Sequence, residues 1–222
     1  MNPPGQKYQR GVLASVVDSN MTDIVLFQYN PESIKRTLRP QFTGYENNGG
    51  EGGGGQSPAD VAFKDAAAQS VSFTAYFDAA DALQDSDETA LSYGIAPQLA
   101  ILEKLMYPTV SAVQSTEQAR EQGQMTIVTM DPPGTILVWG QNRVLPVRIK
   151  SVDINEEAFD VALNPIRANA VISVEVQTYS TRKPSDLDYG RFAAYHRKLE
   201  DLAAKANVSG TTRSTLQSML NR

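Results

Sequence analysis

The stretch ANAVISVEVQTY, Ala168 to Tyr179, alternates apolar and polar side chains along most of its length. A two-residue period puts successive side chains on opposite faces, which is typical of a β-strand buried on one face. The stretches QSVSFTAYFD (residues 69–78) and RVLPVRIKSVDI (residues 143–154) share this pattern. In the second of them the apolar phase changes after Ile149, which predicts a bulge or a sharp bend. The sequence therefore predicts a β-rich core.

Shorter runs with strand character lie on either side of these three stretches. They are residues 11–17, 24–29, 34–38, 125–130 and 135–139. The segments MDPPGT and WGQNR, which flank the last of these runs, are tight connections of the kind found between antiparallel neighbours. Seven or eight short strands at this spacing indicate a barrel or a sandwich.

Two helical stretches interrupt the strand pattern. The first spans about residues 95–107, with Pro97 in its first turn. The second begins at a Ser185/Asp186 cap and spaces its apolar residues by three and four. We expect this second helix to pack on its own domain rather than on a partner. The polar tail after Ala206 is either a short docking helix or disordered.

These patterns predict a mainly β (α+β) fold, an antiparallel β-barrel with one inserted helix and a C-terminal helical extension. Residues 1–181 are expected to form the barrel domain, which includes a flexible glycine-rich loop at residues 44–58. Residues 182–222 are expected to form the C-terminal helix and tail.

The composition limits the classes of protein to which the chain can belong. Its 222 residues are 41% hydrophobic and 20% charged, as in a soluble globular protein. No run is long and apolar enough to cross a bilayer, and the N-terminus lacks the apolar segment of a secretion signal. Without cysteine there are no disulfides and no thiolate ligands. We expect cytoplasmic synthesis, no membrane insertion and, with a net charge of −5, no bulk attraction to nucleic acid.

The charge is distributed unevenly along the chain. Residues 78–124 contain eight acidic side chains and two basic ones, whereas residues 182–222 contain eight basic and four acidic ones. Two interpretations stay open. The two segments form ordinary solvated surfaces, or they are complementary faces of a self-assembling ring or stack.

Nothing in the chain predicts a catalytic, metal or cofactor site. The single histidine, His196, lies within the second predicted helix, so a His-rich metal site is excluded and a Ser-His-Asp triad is not supported. The best acidic cluster is Asp153, Glu156 and Glu157, and we interpret these residues as solvated side chains where a strand reaches a turn.

The glycine-rich segment has the outline of a phosphate-binding loop in GEGGGGQS (residues 50–57). Such a loop needs a Lys that reaches the phosphates, and this segment has Gln56 in that place. The residues before it are polar and do not form a buried strand. We therefore predict no nucleotide site and interpret the segment as a flexible inter-subunit loop. Its glycines are Gly49, Gly50, Gly52, Gly53, Gly54 and Gly55.

Three phrases, far apart in the chain, together resemble one protein family. The first is VLFQYNPESIKRTL (residues 25–38), the second begins with PPGTILVWG, and the third runs from Phe159 into the strand after Pro165. They resemble the N-terminal domain of tube-like baseplate proteins of contractile injection systems, which are phage-tail-like particles. The matching residues are Phe27, Tyr29, Asn30, Pro31, Pro132, Pro133, Trp139, Gly140, Phe159, Pro165, Arg167, Ala168 and Val171.

The resemblance implies a tail-tube-like β-barrel that assembles as a homohexameric ring at the baseplate hub. The ring would join the trimeric central spike to the inner tube. Implied partners are tube or tube-initiator proteins, the spike and, as further candidates, baseplate wedge proteins. An alternative within the same family is the inner tube or tube-initiator subunit itself. The particle would assemble in the cytoplasm, to be released or retained there.

The resemblance also has departures. Asn164 stands where the family usually has Gly, and Asn tolerates a left-handed turn. Many members continue into a LysM module, for which the residues after Ala206 are too few. Arg167, at the start of the last long strand, is a candidate to pair with an acid such as Glu156, Glu157 or Asp160, across a turn or across a subunit boundary. Two other classes remain as alternatives: a monomeric β-barrel binding module with the glycine-rich loop as a lid and, more remotely, an enzyme.

Overall fold

The computed structural model of the protein describes residues 10–17, 20–43, 62–123, 134–206 and 210–220. Within them, seven strands form one antiparallel sheet in the order β2-β1-β5-β6-β7-β4-β3. The strands are β1 (Val12–Val17), β2 (Asn20–Leu26), β3 (Ile34–Thr43), β4 (Ala62–Asp78), β5 (Gly134–Val138), β6 (Val144–Phe159) and β7 (Pro165–Val176). The helices are α1 (Ala80–Gln84), α2 (Glu88–Tyr93), α3 (Ala96–Lys104), α4 (Val110–Glu121), α5 (Leu187–Ala204) and α6 (Gly210–Leu220).

The mainly β, α+β class is confirmed, but the closed barrel is wrong for the described part of the chain. The sheet is open there, with β2 and β3 as its outer strands. Helices complete the core where a closed barrel would rely on its own strands. Leu99 and Leu102 of α3 and Phe192 of α5 belong to the same buried cluster as the sheet residues.

The strands are longer than the sequence pattern suggested. β4 has 17 residues and β6 has 16, because each strand changes neighbours along its length. The first residues of β6 pair with β5 and the remainder pair with β7. The predicted bulge is confirmed, since the β6–β7 register shifts between Ile149 and Ser151. The strand candidate at residues 125–130 lies outside the described residues.

Four helices, rather than one, separate β4 from β5 in the described residues. The predicted helix is α3, which has Pro97 in its first turn and its apolar stripe in the core. The others escaped prediction because α1 and α2 have only five and six residues, too few to show a helical period. In α4 the one buried side chain is the polar Thr116, so that helix has no apolar stripe.

The C-terminal helix α5 packs on the sheet, as expected, through Phe192 and Tyr195. The Tyr179 ring contacts Phe192 edge-on, with ring centroids 4.9 Å apart. Asp188, which is buried near the start of α5, accepts a 2.7 Å hydrogen bond from Arg191 and lies 3.7 Å from an Arg182 nitrogen. The tail beyond Ala206 contains the helix α6. The sequence had left a short docking helix and disorder as alternatives for this tail.

Candidate assembly interface

The first phrase ties the start of the sheet to the end of β4. Phe27 is fully buried, and the Asn30 side-chain oxygen accepts a 2.9 Å hydrogen bond from the Gly11 backbone N–H. The Gln28 side-chain oxygen accepts a 2.8 Å hydrogen bond from the backbone N–H of Asp78, which is the last residue of β4. Both bonds satisfy backbone donors at places where the sheet ladder ends. The phrase is therefore a junction between two parts of the sheet.

The second phrase places Trp139 against the first. The Trp139 ring lies 5.4 Å from Phe73 and 6.2 Å from Phe27, measured between centroids, and Phe27 lies 5.1 Å from Phe73. Gly140 has φ of +71°, a conformation that glycine adopts without strain, and it starts the turn between β5 and β6. Pro132 and Pro133 lie outside the described residues.

The third phrase forms the β6–β7 hairpin. Phe159 pairs with Pro165 in register at the hairpin end, and Ala168 is buried. Arg167 forms a 2.9 Å ion pair with Asp78, so the pairing across a turn with Glu156, Glu157 or Asp160 is wrong within the chain. The reason is register, because Asp78 lies directly opposite Arg167 on β4.

Two of the three acids considered for Arg167 have hydrogen-bond partners of their own. Glu157 accepts hydrogen bonds from Asn155 and Asn169, and Asp160 from Asn164. Asp153, Glu156 and Glu157 all lie exposed within strand β6. The prediction that they lie where a strand reaches a turn is therefore wrong.

The turn between β6 and β7 is built around Asp160. Its carboxylate accepts hydrogen bonds from the backbone N–H of Ala162 and Asn164 and from the Asn164 side chain, each at 2.8 Å. The Asn164 bonds, foremost among these, hold the pKa of Asp160 below its ordinary value of 3.8. The left-handed residue is Leu163, with φ of +64°, and not Asn164. Asn164 instead donates to the Ser92 carbonyl at 3.1 Å and so fastens the turn to α2.

Two of the phrases meet at the surface. Tyr29 and Asn30 of the first and Arg167 and Ala168 of the third line one surface cavity of about 300 Å³. Tyr29 is exposed at its rim and Pro31 is half-buried. Trp139 and Phe159 are not part of this cavity.

A polar cluster holds α5 to the sheet. Arg36 of β3 donates a 2.9 Å hydrogen bond to the Tyr195 hydroxyl, and the Gln69 carbonyl, turned toward Arg36, accepts two more at 3.1 Å. Burial, reinforced by the nearby Arg36 charge, lowers the pKa of Arg143 below its ordinary value. Burial also raises the pKa of Tyr179 above 10.0.

Metal-binding clusters and membrane-spanning helices are absent from the described residues. No group of three or more His, Asp or Glu side chains in them could hold a metal ion. His196 Nδ1 lies 3.2 Å from the Tyr179 hydroxyl, as part of the aromatic contact between α5 and the end of β7. No helix in these parts of the chain is long and apolar enough to span a bilayer.

The surface features that stand out are the two outer strands and an apolar groove beside one of them. β2 exposes Met21, Ile24 and Leu26, and β3 exposes Leu38 and Phe42. The groove lies between α3, α4 and the β1–β2 pair and has a volume of about 710 Å³. Such features belong to surfaces that meet other proteins rather than to a catalytic cleft.

Comparison with known families matches residues 12–184 to the family described as contractile injection system tube protein. This chain belongs to that family. The match covers far more than half of the chain and includes all seven strands of the sheet. No curated protein matches the chain.

Family membership confirms the resemblance seen in the three phrases. The protein is a structural, tube-like component of a contractile injection system. Its family consists of structural tube proteins rather than enzymes. Tube proteins assemble with other components of such particles, so the outer strands and the groove are the surfaces of first interest. The glycine-rich segment at residues 44–58 lies outside the described residues, between the paired ends Thr43 and Ala62 of β3 and β4.

Proposed function

We propose that the protein forms a homohexameric ring at the baseplate hub and joins a trimeric central spike to the inner tube. The observation that carries the proposal is an open sheet, as far as the chain is described, in a tube family protein. An outer strand presents N–H and C=O groups that pair readily with another strand. Pairing β3 of one copy with β2 of the next satisfies both and, repeated around an axis, closes a ring.

The C-terminal extension favours the hub over the tube itself. The family match ends at residue 184, and α5 and α6 follow it. A subunit that only repeats along a tube needs no surface beyond the shared one, whereas an adaptor needs a second surface for an unlike partner. We therefore place tube or tube-initiator proteins on one face of the ring and the spike on the other, with baseplate wedge proteins as further neighbours.

The charge distribution supports stacking against unlike partners. The acidic segment at residues 78–124 contains α1 to α4, and the basic segment at residues 182–222 contains α5 and α6. Surfaces of opposite sign favour one stacking order and disfavour like-charged contacts. On this proposal the particle assembles in the cytoplasm, and the glycine-rich loop orders against a neighbouring subunit.

A charge placed on an outer strand tests the edge pairing. Leu38 of β3 is 52% exposed, and Leu38→Lys puts a cation where a neighbouring strand would lie. We expect this variant to keep its monomer fold and to lose the ring, measured by native mass spectrometry and negative-stain microscopy.

The matched control is Val171→Lys. Val171 is 43% exposed but lies on β7, which has a strand on each side, so its substitution should leave the ring intact. Equal assembly by both variants would contradict edge pairing through β3.

A mixing experiment distinguishes the hub adaptor from the inner tube or tube-initiator subunit. The adaptor should stop at discrete rings when purified alone and should bind both the spike and the tube protein of its own system. A tube subunit should instead polymerise into long tubes and show no affinity for the spike. Size-exclusion chromatography and electron microscopy of the mixtures decide between the two roles.

A further inference from the structure

One part of β3 and β4 extends beyond the rest of the sheet. β4 pairs with β7 only from Ser70 to Asp78, so the residues before Ser70 pair with β3 alone. We call residues 39–43 and 62–68 the β3–β4 ribbon. Two register shifts interrupt its pairing. A two-stranded ribbon is marginally stable by itself, which suggests that another surface supports it in the assembled protein.

The ribbon carries an exposed aromatic pair. Phe42 and Phe63 lie opposite each other in register, with ring centroids 5.1 Å apart. Phe63 is 76% exposed and Phe42 is 41% exposed. Large aromatic side chains in water at the end of a projecting ribbon are typical anchors for an interface, where they fill a pocket on the partner.

The apolar groove offers such a pocket at the other end of the sheet. Its apolar lining consists of Val17, Ala100, Tyr107, Pro108, Val110 and Ala112. Tyr107 and Val110 are largely exposed, which leaves the groove open to a ligand. We call this feature the α3–α4 groove.

The two features lie at opposite ends of the strand order. The ribbon belongs to β3 and β4, whereas the groove lies beside β1 and β2. A projecting ribbon at one end of the sheet and a groove at the other end allow a head-to-tail contact between copies. Such a contact closes a ring when the rotation from one copy to the next fits.

Their charges also match. The ribbon carries Arg39 and Lys64, and the only acid among its residues, Asp65, accepts a bond from the neighbouring Ala66 N–H. The groove includes Glu103, its α3 and α4 residues belong to the acidic segment at residues 78–124, and its Lys104 is already paired with Asp23 at 2.6 Å. Opposite signs favour approach of the ribbon to the groove and disfavour two ribbons or two grooves meeting.

We propose that Phe42 and Phe63 of one copy dock into the α3–α4 groove of the next copy. This inference rests on the proposed ring and names the side-chain contact that fixes neighbouring subunits. The ribbon gains the support that it lacks in the isolated chain, and the groove is filled by aromatic side chains instead of water.

Cysteine cross-linking tests the contact directly, because the chain contains no cysteine of its own. Lys64→Cys lies next to Phe63 in the ribbon, and Val110→Cys lies in the groove and is 72% exposed. Mixed as two separate proteins and oxidised, they should form a disulfide-linked pair that contains one chain of each. Lys64→Cys mixed with Val161→Cys, at an exposed turn outside the groove, is the control and should not cross-link.

A substitution provides a second readout. Phe63→Ser should reduce ring formation at a given concentration by about tenfold or more, as for the loss of an interface anchor. The control Tyr93→Ser removes another exposed aromatic, at the end of α2, and should leave assembly unchanged. Circular dichroism checks that both variants fold.

The outcomes separate this inference from the proposed function. A wild-type ring without the 64–110 cross-link, or a ring unaffected by Phe63→Ser, overturns the ribbon–groove contact and leaves the ring standing. A wild-type chain that stays monomeric, alone and with spike and tube proteins, overturns both. A cross-link in the mixture together with loss of the Phe63→Ser ring supports the contact.

Discussion

Gly11 and Phe27 show how single residues fix the junction at the start of the sheet. A Cβ atom on Gly11 would lie 2.4 Å from Phe27 Cδ2 and 2.8 Å from Cε2, well inside contact distance. Phe27 cannot move aside freely, since it is fully buried beside Phe73 and Trp139. The glycine is therefore needed for close approach of backbone and ring.

We predict that Gly11→Ala destabilises the protein by roughly 1–3 kcal/mol, the usual cost of overpacking a core. Urea unfolding followed by circular dichroism measures the change. Gly190→Ala is the control, because nothing lies within 4 Å of the added Cβ and the site is inside α5. There alanine should stabilise by about 0.5–1 kcal/mol through its higher helix propensity. Similar effects of the two substitutions would contradict this reading of Gly11.

The ion pair of Asp23 and Lys104 joins β2 to α3 and makes stability depend on pH. The hydrogen bond from Lys104 lowers the pKa of Asp23 below its ordinary 3.8. Because the folded carboxyl binds protons less readily than the unfolded one, its contribution is full above pH 3.8 and is lost as the pH falls through the folded pKa.

We predict that Asp23→Asn costs at most about 1 kcal/mol at neutral pH, since the pair is partly exposed. The difference between wild type and variant should shrink as the pH is lowered below 3.8. Unfolding curves at several pH values measure it. A difference that stays constant down to pH 2, or that grows in acid, would show that the ion pair is not its source.

At the scale of elements, the long strands and the helix α3 were predictable from the sequence, whereas α1, α2 and α4 were not. The alternation at residues 168–179 reports a strand with one face buried, and β7 buries Ala170, Ile172, Val174 and Val176 on that face. Short-range periodicity carries no information about which strands pair, so an open sheet could not be told from a barrel. Of the helices described between β4 and β5, α1 and α2 are too short for a helical period to show.

The candidate site was predictable only in part, for the same reason. The three phrases identified Phe27, Trp139 and Arg167 as candidate residues. The ion pair of Arg167 with Asp78 could not be predicted, because it depends on the β4–β7 register. The groove brings together residues of β1, β2, α3 and α4 that lie far apart in the chain. Phe42 and Phe63 are aromatic residues on either side of the glycine-rich segment, a sequence signal for the ribbon that could have been noticed in advance.

Phe192 is the α5 side chain that packs edge-on against Tyr179, beside the polar contact of Tyr195 with Arg36. We predict that Phe192→Ala destabilises the protein by about 3–5 kcal/mol, because it leaves a cavity beside Tyr179 and Tyr195. Limited proteolysis should then cut within residues 182–206 first. Leu187→Ala, at an exposed position of the same helix, should change stability by less than about 0.5 kcal/mol. Unchanged protease resistance of the Phe192 variant would mean that α5 is anchored elsewhere.

At the scale of the whole molecule, the open sheet, the groove and the ribbon are the surfaces through which we propose that copies of the subunit meet. The described sheet has an outer strand at each end, and family membership places the chain in a tube-like assembly. Residues of α3 and α5 belong to the core cluster, and in the described residues β2 and β3 each have a neighbouring strand on one side only. A ring satisfies these strands without exposing a new edge, whereas an open chain of subunits always leaves one at each end.

Native mass spectrometry of the purified chain, alone and mixed with the spike and tube proteins of its system, tests the central claim most directly. The account predicts a discrete species with six times the mass of the 24.2 kDa chain, seen as a sixfold ring by electron microscopy. Monomer alone in every mixture, at concentrations where the partners themselves assemble, would contradict it.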